Sequence, residues 1–512
     1  MAHRIAGLAV ALLVGGASAQ SFDVGVPDLA RTPLPRSVEM DGTTYVDHGL
    51  VATGSLPAGT IDFLGDTLGS FSSLAIEPGT WKREGDSYTG VLWTLPDRGR
   101  NDPEHGVFFD YAGRVHRFRF SMRVPKGSLA AGAVPTPGTV ALVVDGGRAL
   151  KDFRGKPFTG AEPGKGVRTE KGIVLPSPAR GTGAGKISLD AESLQFTRDG
   201  GFYVGDEYAA NVYRFDAKGR LTGIIVPPKA VRPLDADGKP DFTSLVPPAT
   251  GRRNNQGVEG MALSPDGTRL FVVLQSALIQ DTASREKGDA SGRALTRVLV
   301  YDVGREAVPK APVAHYVVKL PAYDDTGAGG ASNKTAAQSE IRVLDDHRFL
   351  MLARDGNGLG AEGGKPIVFK NVLLVDTADA TNLAGTPYET ATTSVLDASG
   401  ALRDAIRPAH WKPFVNLLDP ADLARFGLGL EAGKAGVAQL SEKWEAMDLV
   451  PALDPGHPDD WFLLVGNDND FIARHCVMEG QPCDSPIDND NRILVYRLSL
   501  PGMRSSTASN HH

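Results

Sequence analysis

The chain has little cysteine, little positive charge and no long apolar run. Only Cys476 and Cys483 occur in 512 residues, which excludes a disulfide-dense small scaffold and a cysteine-ligated zinc domain. The one apolar stretch, Ile5 to Gly16, is too short to span a bilayer. No G-x-S-x-G element occurs, so a nucleophile-elbow serine hydrolase has no support. The histidines are scattered without an H-x-H or H-E-x-x-H cluster, which argues against zinc catalysis. With 54 Lys and Arg against 61 Asp and Glu, the formal net charge is −7. That acidic balance argues against a nucleic-acid partner.

What is present begins with a basic start, the short apolar core and an Ala17-Ser18-Ala19 ending before Gln20. Together they predict a secretory signal peptide over 1–19, followed by an N-terminal extension over 20–42. No cysteine follows the cleavage site, so a lipid anchor is not expected. In an exported chain Cys476 and Cys483 are expected to form a local disulfide, with a pair of reduced thiols as the alternative. The product is then periplasmic or extracellular. A tail over 501–512 is expected to be disordered.

Glycine and proline are plentiful, 60 and 35 residues, and mark a turn-rich chain. Between the turns a pattern recurs. A glutamate opens a short apolar segment at Asp190-Ala-Glu192, Val258-Glu259, Ser339-Glu340 and Trp444-Glu445. A tight turn and a second apolar segment follow, and that segment ends on Asp206-Glu207, Gln275, Arg354 or Asn467-Asp468. A third segment, such as Arg297-Val-Leu-Val-Tyr-Asp302, completes an antiparallel meander. An earlier unit from Ser72 to Phe120 has the same outline without the glutamate.

Five meanders are visible, and the segments 43–56 and 138–144 supply strands for a sixth. The expected fold is an all-β, six-bladed β-propeller over 43–500, one domain closed by pairing between chain ends. The glutamates lie 67, 81 and 105 residues apart, against about 40–50 residues for a propeller blade. The excess predicts long insertions at 154–186, 227–256, 279–294 and 398–443, the last with a short helix near 419–442.

In a propeller the first strand of each blade lines the central channel, so Glu192, Glu259, Glu340 and Glu445 are expected to converge, with Asp190 beside them. Packed carboxylates repel one another unless a cation neutralises them. Oxygen ligands suit Ca²⁺, with Mg²⁺ as the alternative. A solvated or arginine-paired glutamate is the simpler account of any single copy, but four copies in one position favour a shared site. The glycine runs Gly181-Thr-Gly-Ala-Gly-Lys186 and Gly356-Asn-Gly-Leu-Gly360 lack the strand-to-helix setting of a phosphate loop and read as plain loops.

These segments resemble the phytase-like family described as "esterase-like activity of phytase". The pieces that carry the resemblance are Trp93-Thr-Leu-Pro-Asp97-Arg98-Gly99, Asp190-Ala-Glu192 leading to Gly205-Asp-Glu207-Tyr208, Arg253-Asn-Asn-Gln-Gly-Val-Glu259-Gly260, Ser339-Glu340 and Leu352-Ala-Arg354. The chain departs at Ser193, where the family has glycine. The resemblance implies an exported propeller that hydrolyses esters or phosphoesters. In that reading Asp97 or Glu207 acts as general base, while Arg98 and Arg354 contact the reacting group. Arg253, Asn255, Gln275 and Asn467 are expected to bind substrate. The expected partner is a small-molecule ester or phosphoester bound by a monomer with no transmembrane segment. The competing reading is a non-enzymatic propeller in which calcium is structural and the cavity binds a ligand or an envelope component.

Overall fold

A computed structural model describes residues 23–24, 27–29, 33–125, 136–283, 291–361, 364–430 and 438–503. The expected signal peptide and the tail beyond 503 lie outside the described residues. The described strands assemble into five four-stranded antiparallel blades. Blade 1 contains Ser73–Ile76, Ser87–Leu95, Arg114–Arg123 and Gly138–Ala149. Blade 2 contains Ala191–Phe196, Phe202–Asp206, Val212–Phe215 and Leu221–Ile225, and blade 3 Val258–Leu263, Arg269–Leu274, Leu295–Asp302 and Ala314–Lys319. Blade 4 is built from Ala337–Val343, Arg348–Arg354, Lys370–Asp376 and His410–Asn416.

Blade 5 takes three strands from the C-terminus, Lys443–Pro451, Asp460–Asp468 and Asn491–Ser499, and its outer strand, Thr43–Leu56, from the N-terminus. The first strands of the five blades neighbour one another in a closed ring, blade 5 meeting blade 1. The expected sixth blade is therefore absent among the described residues. Thr43–Leu56 completes blade 5 and Gly138–Ala149 completes blade 1, and the ladder between the two is limited to the parallel pairs Gly138–Ala52 and Thr139–Thr53. Pairing the chain ends closes the ring without leaving an inner edge. Arg36–Met40 adds a hairpin strand to Thr43–Leu56.

Alternate residues of a strand face opposite sides of its blade, and many strands, such as Lys370–Asp376, are buried on both. Trp93 and Leu95 of blade 1 meet Leu194, Phe196, Phe202 and Phe215 of blade 2. Phe202 and Phe215 stack at 5.3 Å between ring centroids. Phe271, Val273 and Val298 of blade 3 likewise meet Ile341, Met351 and Leu373 of blade 4.

The insertions over 154–186 and 227–256 lie between the last strand of one blade and the first strand of the next. The helix expected near 419–442 is the short Pro420–Arg425, started by Pro420 and capped by Asp419, whose side chain accepts from the Ala421 and Asp422 N–H groups. Cys476 and Cys483 are joined as a disulfide, with a Cα–Cα distance of 4.8 Å. No helix among the described residues is long and apolar enough to cross a membrane.

Candidate functional site

Each of blades 2 to 5 begins with a β-bulge in its first strand, and the bulge decides which side chain faces the channel mouth. In blade 2, Ala191 pairs with Asp206 and Ser193 with Gly205, so Glu192 stands unpaired between them. Glu259 occupies the same position between Val258 and Gly260, and Glu445 between Trp444 and Ala446. A bulged residue leaves the ladder and re-aims its side chain. Burial and mutual repulsion raise the Glu192 and Glu259 carboxyls well above the ordinary glutamate range. Glu192 feels Glu259, Asp190, Glu207 and Glu445, and Glu259 feels Glu207 and Glu445. Three of the four expected glutamates therefore converge.

Glu340 does not join them. In blade 4 the bulge falls between Gln338 and Glu340, so Ser339 holds the mouth position and Glu340 lies one residue deeper. A one-residue offset turns a strand side chain to the other face. Glu340 accepts from Ser73 Oγ at 2.7 Å, from Met261 N at 3.0 Å and from its neighbour Ile341 N at 2.9 Å, and it faces Arg342 at 3.2 Å. It is a fully buried tie between blades 1, 3 and 4. Burial pushes its carboxyl up to about 7. The place of a fourth glutamate is taken by Arg354, which donates Nη2 to Glu445 and Nε to Ser339 Oγ at 3.2 Å.

Beside this ring lies an acidic centre. Ligand oxygens of Asp97, Asp190 and Glu192 lie within 4.8 Å of one another, and Asp97 makes a second such group with Asp468 and Asp470. Asp97 hangs from the loop after Ser87–Leu95, where it accepts from Gly99 N at 3.0 Å and its own N–H donates to Ser70 Oγ at 3.2 Å. Burial and the Asp190 charge raise the Asp97 carboxyl to about 7. Burial raises Asp190 as well. Lys443 Nζ lies 3.4 Å from Asp468 and 2.5 Å from Asp470. Burial opposes ionisation of Asp470, yet Lys443 holds it below the ordinary aspartate range.

The loops fix the cations around this centre. Arg98 Nη1 lies 3.0 Å from Asp190 Oδ2 and donates to Ser244 Oγ at 3.0 Å. Ser244 belongs to the 227–256 insertion and donates in turn to Glu162 at 2.5 Å. A Cβ on Gly160 would sit 1.8 Å from the Arg98 carbonyl oxygen, so the 154–186 insertion reaches the site only because that residue is glycine. Arg252 is fully buried and donates Nε to the Tyr208 carbonyl at 3.0 Å, which locks the turn after Glu207. Glu207 accepts from Gly257 N at 3.1 Å, and burial with the Asp190 charge raises it to about 8.

The remaining expected residues fall into three situations. Gln275 meets Glu259, donating Nε2 to Oε1 at 2.8 Å. Asn467 faces the backbone: its amide donates to Asp490 O at 3.2 Å and accepts from Arg492 N at 2.5 Å. Asn255 is exposed at a loop tip with φ +49°, and Arg253 lies half-buried farther out on the same face. The departure at Ser193 is accommodated from across the hairpin, where a Cβ on Gly205 would fall 2.2 Å from Ser193 Oγ.

Lys443 and the pairing of Asp468 with Asp470 were not evident from the repeat, although Asp468 lies on the segment that returns toward Glu445. Asp190 shows what the centre lacks. It is 1 % exposed, its Oδ2 faces the Arg98 guanidinium at 3.0 Å, and its Oδ1 is buried without a hydrogen-bond partner. Glu259 Oε2 is buried without a partner as well. Such oxygens cost free energy unless a cation or a proton meets them. An all-oxygen, carboxylate-rich donor set fits a hard divalent cation such as Ca²⁺ or Mg²⁺.

A closed ring of antiparallel blades with buried acids at one channel mouth defines a β-propeller with a carboxylate centre. The chain belongs to the phytase-like family, "esterase-like activity of phytase", whose profile matches residues 67–471. A relative described as "Uncharacterized secreted protein" from Arthroderma benhamiae is 32% identical over 478 residues, covering 86% of this chain and 90% of its own. Among solved structures, the PQQ-bound aldose sugar dehydrogenase from Streptomyces coelicolor aligns with 12% identity over 91% of this chain and 100% of its own, at a TM-score of 0.26. The β-propeller domain of Cps50 (Swd1) from Myceliophteria thermophila aligns with 10% identity over 59% of this chain and 71% of its own, at a TM-score of 0.22. Likenesses this weak carry no weight for fold or function, and the propeller assignment stands on the strand topology.

Proposed function

We propose that this chain is an exported hydrolase of phosphoesters or other esters, working at the acidic channel mouth with a hard divalent cation, Ca²⁺ or in its place Mg²⁺. The observation that carries the reading is the buried cluster of Asp97, Asp190 and Glu192, whose oxygens lie within 4.8 Å of one another with only the Arg98 guanidinium paired to Asp190. Asp97, Asp190 and Glu192 would hold the cation, with Asp468 next to them. A bound divalent cation there supplies charge neutralisation and a more acidic water. Arg98 and Arg354 supply guanidinium groups for the oxygens of the reacting group. Glu207 would take the proton from an attacking water. The secreted relative, the disulfide and the Ala17-Ser18-Ala19 element support export.

The test pairs metal content with turnover. Purified protein should contain a stoichiometric divalent ion by elemental analysis and should release phosphate or carboxylate from an ester panel. Chelation should abolish release and readdition restore it. Asp190→Asn should lower metal affinity about 100-fold or more, the upper scale seen when metal-site groups are altered. Tight metal with no turnover on any ester would leave the structural-calcium reading in its place.

A further inference from the structure

Among the described residues, Arg253 and Arg293 stand out as cations without an ion-pair partner. Arg253 lies on the loop that leads into Glu259, and Arg293 ends the short turn Ser291–Arg293 that leads into Leu295–Asp302. Both belong to the face that carries the acidic centre. A ladder of contacts leads outward from Glu259 to them. Gln275 holds Glu259, Ser276 Oγ donates to Gln256 at 2.6 Å, and Ala277 N donates to the Arg293 carbonyl at 3.3 Å. Arg253 Nη2 donates to Thr282 Oγ1 at 2.6 Å, and the neighbouring Ala283 N donates to Gly292 O at 3.2 Å, beside Arg293.

The electrostatics of the pair are unusual for an acidic protein. Among the described residues no carboxylate forms an ion pair with either guanidinium, and the Nε of each is buried without an acceptor. Burial, together with the charge of Arg293, lowers Arg253 to about 10. Two like charges with buried, unsatisfied donors are a costly arrangement unless an acceptor with several oxygens joins them. Guanidinium forks match tetrahedral oxyanions in geometry, and two forks on one anion are the usual arrangement for phosphate.

We propose that Arg253 and Arg293, with Thr282 positioning Arg253, form a subsite for a phosphate-class oxyanion set outward from the acidic centre along blade 3. Its role in specificity rests on the hydrolase reading above: a substrate would place its ester at the centre and a second anionic group on the arginines. The binding itself does not depend on that reading.

Calorimetric titration of inorganic phosphate into the full chain tests it. The wild type should bind saturably, and Arg253→Gln and Arg293→Gln should each weaken binding about tenfold, the scale of one charge-assisted hydrogen bond. Arg253→Lys and Arg293→Lys retain the charge and should weaken it less, which keeps the test open if a glutamine variant fails to fold. Absence of phosphate binding, or equal binding in all five proteins, overturns the proposal. On ester substrates, the ratio of kcat/KM with a remote phosphate to kcat/KM without it should fall about tenfold in Arg293→Gln. Phosphate binding that depends on both arginines in a protein that cleaves no ester would sink the hydrolase reading and leave the anion site standing. Ester cleavage with phosphate binding indifferent to both would do the reverse.

Discussion

Two buried charge clusters in this protein are built from the same residue types and end in opposite states. On the flank of blade 3, Arg297 donates Nε and Nη2 to Asp281 Oδ2 at 2.9 and 2.7 Å and Nη1 to His315 Nε2 at 3.1 Å. His315 Nδ1 donates to Glu389 at 3.3 Å, and Asp281 Oδ1 accepts from Val395 N at 3.0 Å. Asp281, Arg297 and His315 are completely buried, and each charge has its partner. At the channel mouth, Glu192 is surrounded by other carboxylates, and Asp190 has Arg98 against one oxygen and no partner for the other. A balanced cluster is a structural tie that pins the 279–283 and 383–396 loops to the blade. An unbalanced one points to something that arrives from outside.

The difference can be broken by mutation, beginning with the balanced cluster. Asp281→Ala should cost about 3–5 kcal/mol in denaturant unfolding, because it strands a buried arginine. Metal content should not change; a loss of metal would join the two clusters into one system. Next comes Glu340→Gln, which removes the charge of a fully hydrogen-bonded carboxylate. It should cost about 1–3 kcal/mol and leave metal content intact, whereas Glu259→Gln should lower metal content. Equal metal loss in both would restore Glu340 to the ring and refute the bulge assignment.

Glu192→Gln should act with the opposite sign. The chelated protein should become more stable by about 1 kcal/mol, the worth of less than one pKa unit of relieved repulsion, while metal affinity falls. A destabilised chelated variant would mean that Glu192 has a partner in the metal-free state. A further effect is expected from pH. Burial first, and Arg297 second, lower His315 to about 4 against an ordinary 6.5. The unfolded chain takes up that proton near pH 6.5 and the folded chain only near 4, so stability is full above 6.5 and declines as pH falls toward 4. His315→Asn should flatten that part of the stability profile, and an unchanged slope would show that His315 titrates normally.

Much of this was legible in the chain. Meander strands, their turns and the disulfide partners are local features, and a two-residue period with Ser264-Pro-Asp-Gly267-type turns between apolar segments suffices to find them. Gln275 opposite Glu259 followed from hairpin folding alone. The bulges were not legible, because inserting one residue before Glu192 or Ser339 leaves the apolar pattern of the strand unchanged while turning one side chain. Lys443 was missed for a similar reason: a lysine two residues before Glu445 reads as a solvated strand end. The sixth blade was expected because Thr43–Leu56 and Gly138–Ala149 both read as strands, and strand character does not say which sheet a strand joins.

By itself the sequence determined the repeating all-β architecture and the residue types at the channel mouth, because turn chemistry and hydrophobic period act over a few residues. The tertiary structure decided that the described strands group into five blades, that Ser339 and Arg354 stand where a fourth glutamate was expected, and that Asp97, Asp190 and Glu192 meet. Those outcomes depend on pairing between residues hundreds of positions apart, such as Leu56 with Asn491, and on one-residue offsets whose effect appears only once neighbouring blades are packed.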